Sequence, residues 1–244
     1  MLSHTALVFV GLVFLLAGWV KGVVGMGLPT VAMDALGLVM APVQAAALLV
    51  VPSLVTNVWQ FVAGPGAGRI TRRLAVMMLF ACVGTALGIP LLASGSSRWP
   101  SMALGAVLAT YALLALRLPR LAVPAKLERG LSPVVGFVTG ILTGATGVFV
   151  VPAVPYLSAL ALSKDELVQA LGLSFMVSTV ALESSGSYPC EMLWASLLVV
   201  VPALLGMFIG QHMRDRIEPV AFRRWFFFAM LLVGSYMVLR GLLE

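Results

Sequence analysis

The chain is short of charge, of cysteine and of histidine. Charged side chains make up 10% of its 244 residues, nine acidic against fifteen basic, while 61% are hydrophobic and the mean hydropathy is +1.09. No water-soluble surface of ordinary make-up can be assembled from that composition. The two cysteines, Cys82 in an apolar run and Cys190 in a loop, exclude a disulfide framework and a CxxC metal site. His4 near the terminus and His212 among arginines form no metal-ligand pattern, so neither metal nor cofactor is expected. The alternating ten-residue segments of a β-barrel are missing too. The first apolar run has no basic segment before it and no Ala-x-Ala exit, and reads as structure rather than a cleaved signal. What is present is a set of long apolar runs. Leu74 to Ala93 and Met192 to Gln211 are each 20 residues without charge, and about 20 apolar residues span a bilayer core as a helix. An all-α integral membrane protein follows, with the lipid bilayer as its surroundings.

The chain is also written twice. Gly18-x3-Gly22-x2-Gly25-x-Gly27 is echoed by Gly136-x3-Gly140-x3-Gly144-x2-Gly147. Val43-Gln44-Ala45 recurs as Val168-Gln169-Ala170, Leu48 matches Leu173, and Gly84-x3-Gly88 recurs as Gly206-x3-Gly210. Residues 1–118 form a first membrane repeat, 119–130 a basic linker and 131–244 a second repeat.

Eleven of the fifteen Lys and Arg fall in three clusters: Arg69, Arg72 and Arg73; Arg117, Arg120, Lys126 and Arg129; Arg214, Arg216, Arg223 and Arg224. The net charge of +6 is thereby explained by cytoplasmic loops rather than by nucleic acid. The stretch from Leu131 to Leu162 has 32 residues and no charge. A single crossing there would put the last basic cluster outside, so the segment is expected to enter and return. As one helix it would reach about 48 Å, too long for one crossing and too short for two. The expectation is a hairpin of two short helices with a Gly-rich tip in the membrane, and in the first half an equivalent hairpin over about residues 5–41. Single spans follow near 42–62, 74–93 and 100–116, and in the second half near 166–185, 192–211 and 222–240. Three single crossings invert the second copy and leave both termini extracytoplasmic. Inverted repeats with broken helices are the build of many secondary transporters, with the site at the repeat interface.

Irregular backbone at membrane depth persists only against protein or a wet cavity. Exposed amides and helix N-termini at such tips suit an anion. Pro29, after Gly27, is placed to start a helix. Lys21 is the clearest cation in the apolar interior, and an intramembrane charge reads as functional by default; the bland alternatives are snorkelling, or neutralisation by Asp34. Ser53, Asn57 and Gln60 share one helix face, with Ser174, Ser178 and Thr179 on similar ground in the second copy. Such a stripe serves equally as interhelical glue. Thr139, Thr143 and Thr146 offer hydroxyls at the second tip, or bond their own helix. The candidate anion contacts are Lys21, Gly22, Gly25, Gly27, Asn57, Gln60, Thr143, Gly144, Thr146, Gly147 and Ser178. Glu183 is a candidate proton carrier or an interfacial carboxylate. Gly84-x3-Gly88 and Gly206-x3-Gly210 read as close helix packing.

The paired hairpin motifs, Gly18-Trp-Val-Lys-Gly-Val-Val-Gly-Met-Gly-Leu-Pro29 and Gly136 through Gly140, Gly144 and Gly147 to Pro152, resemble the duplicated Gly-rich signature of the sulfite exporter TauE/SafE family of membrane permeases. The resemblance covers nearly the whole chain. It implies a bacterial inner-membrane permease moving sulfite, sulfonates or related sulfur-containing anions, coupled to the proton gradient, and it leaves a homodimer open. Other classes remain as alternatives: a non-catalytic scaffold or partner subunit, a passive anion channel, and an intramembrane enzyme. The enzyme reading lacks a placed Ser/His, paired Asp or metal cluster.

Overall fold

The computed structural model describes residues 4–37, 39–40, 42–93, 98–117, 122–146, 149–183 and 193–243. Of the two loops expected to face outward from their shortage of basic residues, Ser94 to Trp99 and Glu183 to Glu191, residues 94–97 and 184–191 lie outside the described residues, as does Gly147. Among the described residues the regular structure is all helical: α1 His4–Val24, α2 Leu28–Leu36, α3 Pro42–Val62, α4 Ala67–Ala93, α5 Arg98–Arg117, α6 Ala125–Thr146, α7 Ala153–Ala159, α8 Lys164–Glu183, α9 Leu193–Leu198, α10 Val200–Asp215 and α11 Pro219–Leu243. The stretches 67–90, 194–215 and 219–242 are each long and apolar enough to cross a membrane unaided. Large apolar side chains such as Leu12, Leu79, Leu205 and Leu232 are exposed, as a lipid-facing surface requires and a watery one disfavours.

Proline places several helix boundaries. It begins α3 and α11 and sits in the first turn of α2, where its missing N–H removes only a donor that has no intrahelical partner. Pro202 lies in the first turn of α10, and an N–H there would have bonded the Leu198 carbonyl, so the expected 192–211 span is divided at Val199 into α9 and α10. The hairpin arms differ from expectation. The first arms are long, 21 residues in α1 and 22 in α6, about 30 Å or more, and the returning arms α2 and α7 are short, nine and seven residues. The reason in the second half is that α6 starts at Ala125, inside the basic stretch, with Lys126 and Arg129 exposed at its end; charged residues can occupy a first turn while their heads stay in water.

Four helix pairs build the core: α1 with α10, α4 with α6, α3 with α8 and α5 with α11. Glycine sets the first two. A Cβ on Gly18 would overlap the Ala203 carbonyl and one on Gly22 the Met207 carbonyl; from the other side, Gly206 meets Leu15 and Gly210 meets Trp19. The numbers rise together, so α1 and α10 run parallel. The same relations join α6 to α4: Gly136 meets Met77, Gly140 meets Ala81, Gly84 meets Phe137 and Gly88 meets Ile141. In hydrocarbon, helices associate by packing rather than by water release, and small residues let backbones approach. The pairs α3/α8 and α5/α11 run antiparallel, with Gly172 against Asn57 and Phe61, and Gly105 against Gly234 and Met237. Both hairpin turns pack on α8: Gly25 lies against Val168 and Leu171, and Phe149 meets the Phe175 ring edge-on at 5.8 Å.

Substituting Gly210 or Gly140 by Leu forces backbones apart and is expected to cost at least about 3 kcal/mol, the upper end of overpacking penalties. Gly11 and Gly130, with open space where a Cβ would go, are expected to accept Ala with no loss. Thermal unfolding in detergent checks both, and equal behaviour of the two classes would contradict the packing assignment.

Candidate functional site

The first hairpin turn is made by two glycines. Gly25 and Gly27 have φ of 89° and 103°, left-handed values that side chains with a Cβ rarely adopt. The Gly25 N–H closes the end of α1 on the Lys21 carbonyl at 2.7 Å, and the Gly27 carbonyl accepts from Val31 at 3.0 Å to open α2. Lys21 therefore stands in the last turn of α1, just before the tip, with its side chain 3% exposed.

Its ammonium donates to Thr56 Oγ1 at 2.9 Å and to Asn57 Oδ1. Both acceptors come from α3, and the local chemistry of that helix orients them. The Thr56 hydroxyl gives its proton to the Pro52 carbonyl at 2.6 Å, which leaves its lone pairs toward the ammonium. Pro52 has no N–H for the Leu48 carbonyl; Ser196 of α9 supplies the missing donor at 2.8 Å and accepts from Val51 N–H at 3.2 Å. Gln60, one turn further, uses Nε2 to hold the Gly25 carbonyl at 2.9 Å and the Val168 carbonyl at 2.7 Å. It ties the tip of the first hairpin to both α3 and α8.

A second buried cation joins from α10. Arg214 is 7% exposed. Its Nη1 donates to the Gly22 carbonyl at 3.4 Å, its Nε lies 3.8 Å from Asp165 Oδ1 and its Nη2 lies 3.9 Å from Asp215 Oδ1. Lys164 donates to the carbonyls of Arg214, Asp215 and Ile217 at 3.1 to 3.3 Å, and so closes the exposed end of α10. Sequence reasoning placed Arg214 in a loop. The signal that finds it is helical spacing: Ala203, Gly206, Met207, Gly210 and Arg214 form the buried face of α10, and the guanidinium continues the glycine stripe toward α1.

Lys21, Gly22, Gln60, Asp165, Gln211 and Arg214 line a cavity of ≈260 Å³, with Trp59 and Met207 in its apolar wall. Trp59 is held edge-on to Phe208 at 4.9 Å between ring centres and donates to Gln211 Oε1 at 3.4 Å. The two cations are buried, whereas the side chains of Asp165 and Asp215 are 42% and 57% exposed. The carboxylates thus lie toward the open side of the cavity and the basic groups toward its inner wall.

Of the expected contacts, Lys21, Gly22, Gln60 and, through Lys21, Asn57 come together here, with Gly25 held by Gln60. Thr143 and Gly144 do not line this cavity. Thr143 and Thr139 donate to carbonyls of their own helix, Thr139 and Val135, at 2.7 Å each. Gly144 packs on Thr85 and Ile89 of α4, just as Gly22 packs on α10. Ser178 is buried in α8, and its hydroxyl has no hydrogen-bond partner among the described residues. The side chains of Thr146, Asp34 and Glu183 lie outside the described residues. Among the described residues, no three His, Cys, Asp or Glu side chains are grouped to hold a metal ion.

Ser196→Ala is expected to cost about 1–3 kcal/mol by orphaning the buried Leu48 carbonyl. In a Pro52→Ala background, where position 52 regains an N–H for that carbonyl, the same change is expected to cost far less. Unfolding free energies around this double-mutant cycle check it, and simple additivity would show that Ser196 does not compensate for Pro52.

Neither a curated protein nor a solved structure matches the chain. The family model described as Sulfite exporter TauE/SafE matches residues 10–237. That match takes in both glycine motifs, the buried lysine and the arginine that lines the same cavity, and by it this multi-pass membrane protein belongs to the TauE/SafE sulfite exporter family.

Proposed function

We propose that the protein is a secondary carrier of small sulfur-containing anions, with sulfite and sulfonates the first candidates, and that the anion binds in the cavity between Lys21 and Arg214. The observation that carries this reading is a pair of buried cations on one cavity wall, the ammonium held only by the neutral oxygens of Thr56 and Asn57. Neutral oxygens orient an ammonium and leave its charge in place. An anion about 4 Å from one such cation gains about 4 kcal/mol at an effective dielectric of 20, roughly a thousandfold in affinity. Desolvation of the anion offsets part of that gain.

The two halves are inverted relative to each other in this reading. Three relations support it. Lys21, at the end of α1, meets Thr56 and Asn57 near the end of α3, so α1 and α3 run the same way; α4 returns after a short link; and α6 runs parallel to α4. The equivalent arms α1 and α6 then point oppositely, as transporter halves that rock against one another do. The basic clusters set this end of the molecule in the cytoplasm of a bacterial inner membrane, with both termini outside. The cavity is then the inward-open binding site, and rocking of one half against the other exposes it to the far side, driven by the proton gradient.

The test is flux into proteoliposomes under an imposed pH gradient, offering sulfite, sulfate, small sulfonates and carboxylates. Saturable flux of a sulfur anion is expected, with Lys21→Ala and Arg214→Gln each reducing it at least tenfold. Unchanged flux in both variants would move the site elsewhere, conductance at single-channel rates would make the protein a pore, and no flux of any anion would favour the scaffold. Reporter fusions at both termini are expected to read extracytoplasmic; a cytoplasmic signal from either would overturn the inverted arrangement.

A further inference from the structure

The buried apolar side chains among the described residues form two clusters, and neither follows the halves of the chain. One is built on Phe14, Leu28, Leu48 and Ala203, from α1, α2, α3 and α10, with Ala195 of α9 packed against it. The other joins Leu74 of α4, Leu108 of α5, Leu157 of α7, Leu171 of α8 and Phe226 of α11, with Val135 of α6 packed against it. The glycine contacts lock the same division. The pairs α1/α10 and α4/α6 touch backbone to backbone over successive turns, and each takes one helix from either half of the chain. Parting such a pair gives up the close approach that holds helices together in hydrocarbon.

The two bundles meet differently. Their main contact is the antiparallel α3/α8 crossing, which has one glycine, Gly172, where each locked pair has at least four. Its bonds are made by side chains: Gln60 holds the Val168 carbonyl at 2.7 Å, and Gln169 donates to the Phe61 carbonyl at 2.6 Å and accepts from the Gly66 N–H at 3.0 Å. Val24 and Met26 of the first hairpin reach across into the second cluster. The Asp165–Arg214 ion pair and the bonds from Lys164 to the end of α10 also span this seam. The cavity lies on it: Lys21, Gln60, Gln211 and Arg214 line it from the first bundle, Asp165 and Val168 from the second.

Resting on the carrier reading above, we propose that the two bodies that rock are these mixed bundles, α1, α2, α3, α9 and α10 against α4 to α8 and α11, and not the two halves of the chain. The anion then travels with the first bundle, to which Lys21, Asn57 and Arg214 all belong, and the second is the wall that opens and closes the way to it. The links at 63–66 and 216–218, where the chain passes between the bundles, absorb the turn as hinges.

Cysteine pairs test the division in a background with Cys82 and Cys190 replaced by Ala, each pair read as sulfite flux into proteoliposomes before cross-linking, after it and after reduction. Trp19→Cys with Met213→Cys joins α1 to α10, whose side chains meet there at 3.1 Å. Arg73→Cys with Glu128→Cys joins α4 to α6 across their ion pair at 2.6 Å. Both cross-links tie one half of the chain to the other, and both are expected to leave flux within about twofold. Phe61→Cys with Gln169→Cys joins α3 to α8 and is expected to cut flux at least tenfold, with recovery on reduction. Spin labels at the exposed Leu12, Leu79 and Leu205 read the division without disturbing a buried contact. Between protein with and without saturating sulfite, the 12–205 distance is expected to hold and the 12–79 distance, within one half of the chain, to shift. Reversible loss of flux on either of the first two cross-links, or a shift in the 12–205 distance, would overturn the division. Flux that survives all three cross-links would overturn rocking at this seam. Absence of sulfite flux in the native protein would instead remove the carrier reading on which the division rests.

Discussion

The backbone contact between α1 and α10 is the constraint on which the site depends. Gly18 and Gly22 on one helix and Gly206 and Gly210 on the other leave no room for a Cβ. In hydrocarbon there is little water to expel, so association depends on the closeness of approach itself. The same approach decides what lies at the end of the pair. Lys21 precedes Gly22, Arg214 follows Gly210 by one turn, and parallel packing delivers both cations to the same end, where Arg214 bonds the Gly22 carbonyl. The matching α4/α6 pair uses the same glycine spacing, yet Thr139 stands where Lys21 does and bonds its own helix. The two glycine motifs thus share one packing device, while the buried cations lie beside the first.

Polar groups around the cavity are arranged as a chain of obligations. Pro52 deprives the Leu48 carbonyl of its donor, and Ser196 answers it. Thr56 turns its proton to the Pro52 carbonyl and its lone pairs to Lys21. Gln60 spends both N–H groups on the hairpin tip and on α8. Each step satisfies one buried group and fixes the direction of the next, which is how a site in a low-dielectric interior stays oriented without bound ligand. Beyond Gln60 the next link is ionic, Arg214 Nε lying 3.8 Å from Asp165 Oδ1.

Much of the fold was legible in the sequence because membranes force simple codes. Charge-free runs gave spans, basic clusters marked their ends, and glycine spacing marked the helix pairs, with Gly84-x3-Gly88 and Gly206-x3-Gly210 packing as read. The unequal hairpin arms were not legible: a rule that ends spans at charges misses a helix that begins at Ala125 among exposed basic residues. The break at Val199 was present in Pro202 but was hidden by the unbroken apolar run around it. Within the site, Lys21, Asn57 and Gln60 were readable as polar residues on apolar faces. Arg214 was not, because an arginine in a basic cluster looks like its neighbours until the 203–207–210–214 periodicity is followed to the end of the helix. Gly22 and Gly144 were assigned to the tips on composition, whereas their place inside α1 and α6 makes them packing residues first.

Whether an anion rests between Lys21 and Arg214 is decided by locating one. Selenite is the heavier homologue of sulfite, and its selenium scatters anomalously, so crystals grown with saturating selenite reveal where the anion lies. A single strong peak is expected in the cavity, within ion-pair reach of Lys21 Nζ and the Arg214 guanidinium. A peak beside the second hairpin, or none in the cavity at saturation, would contradict it.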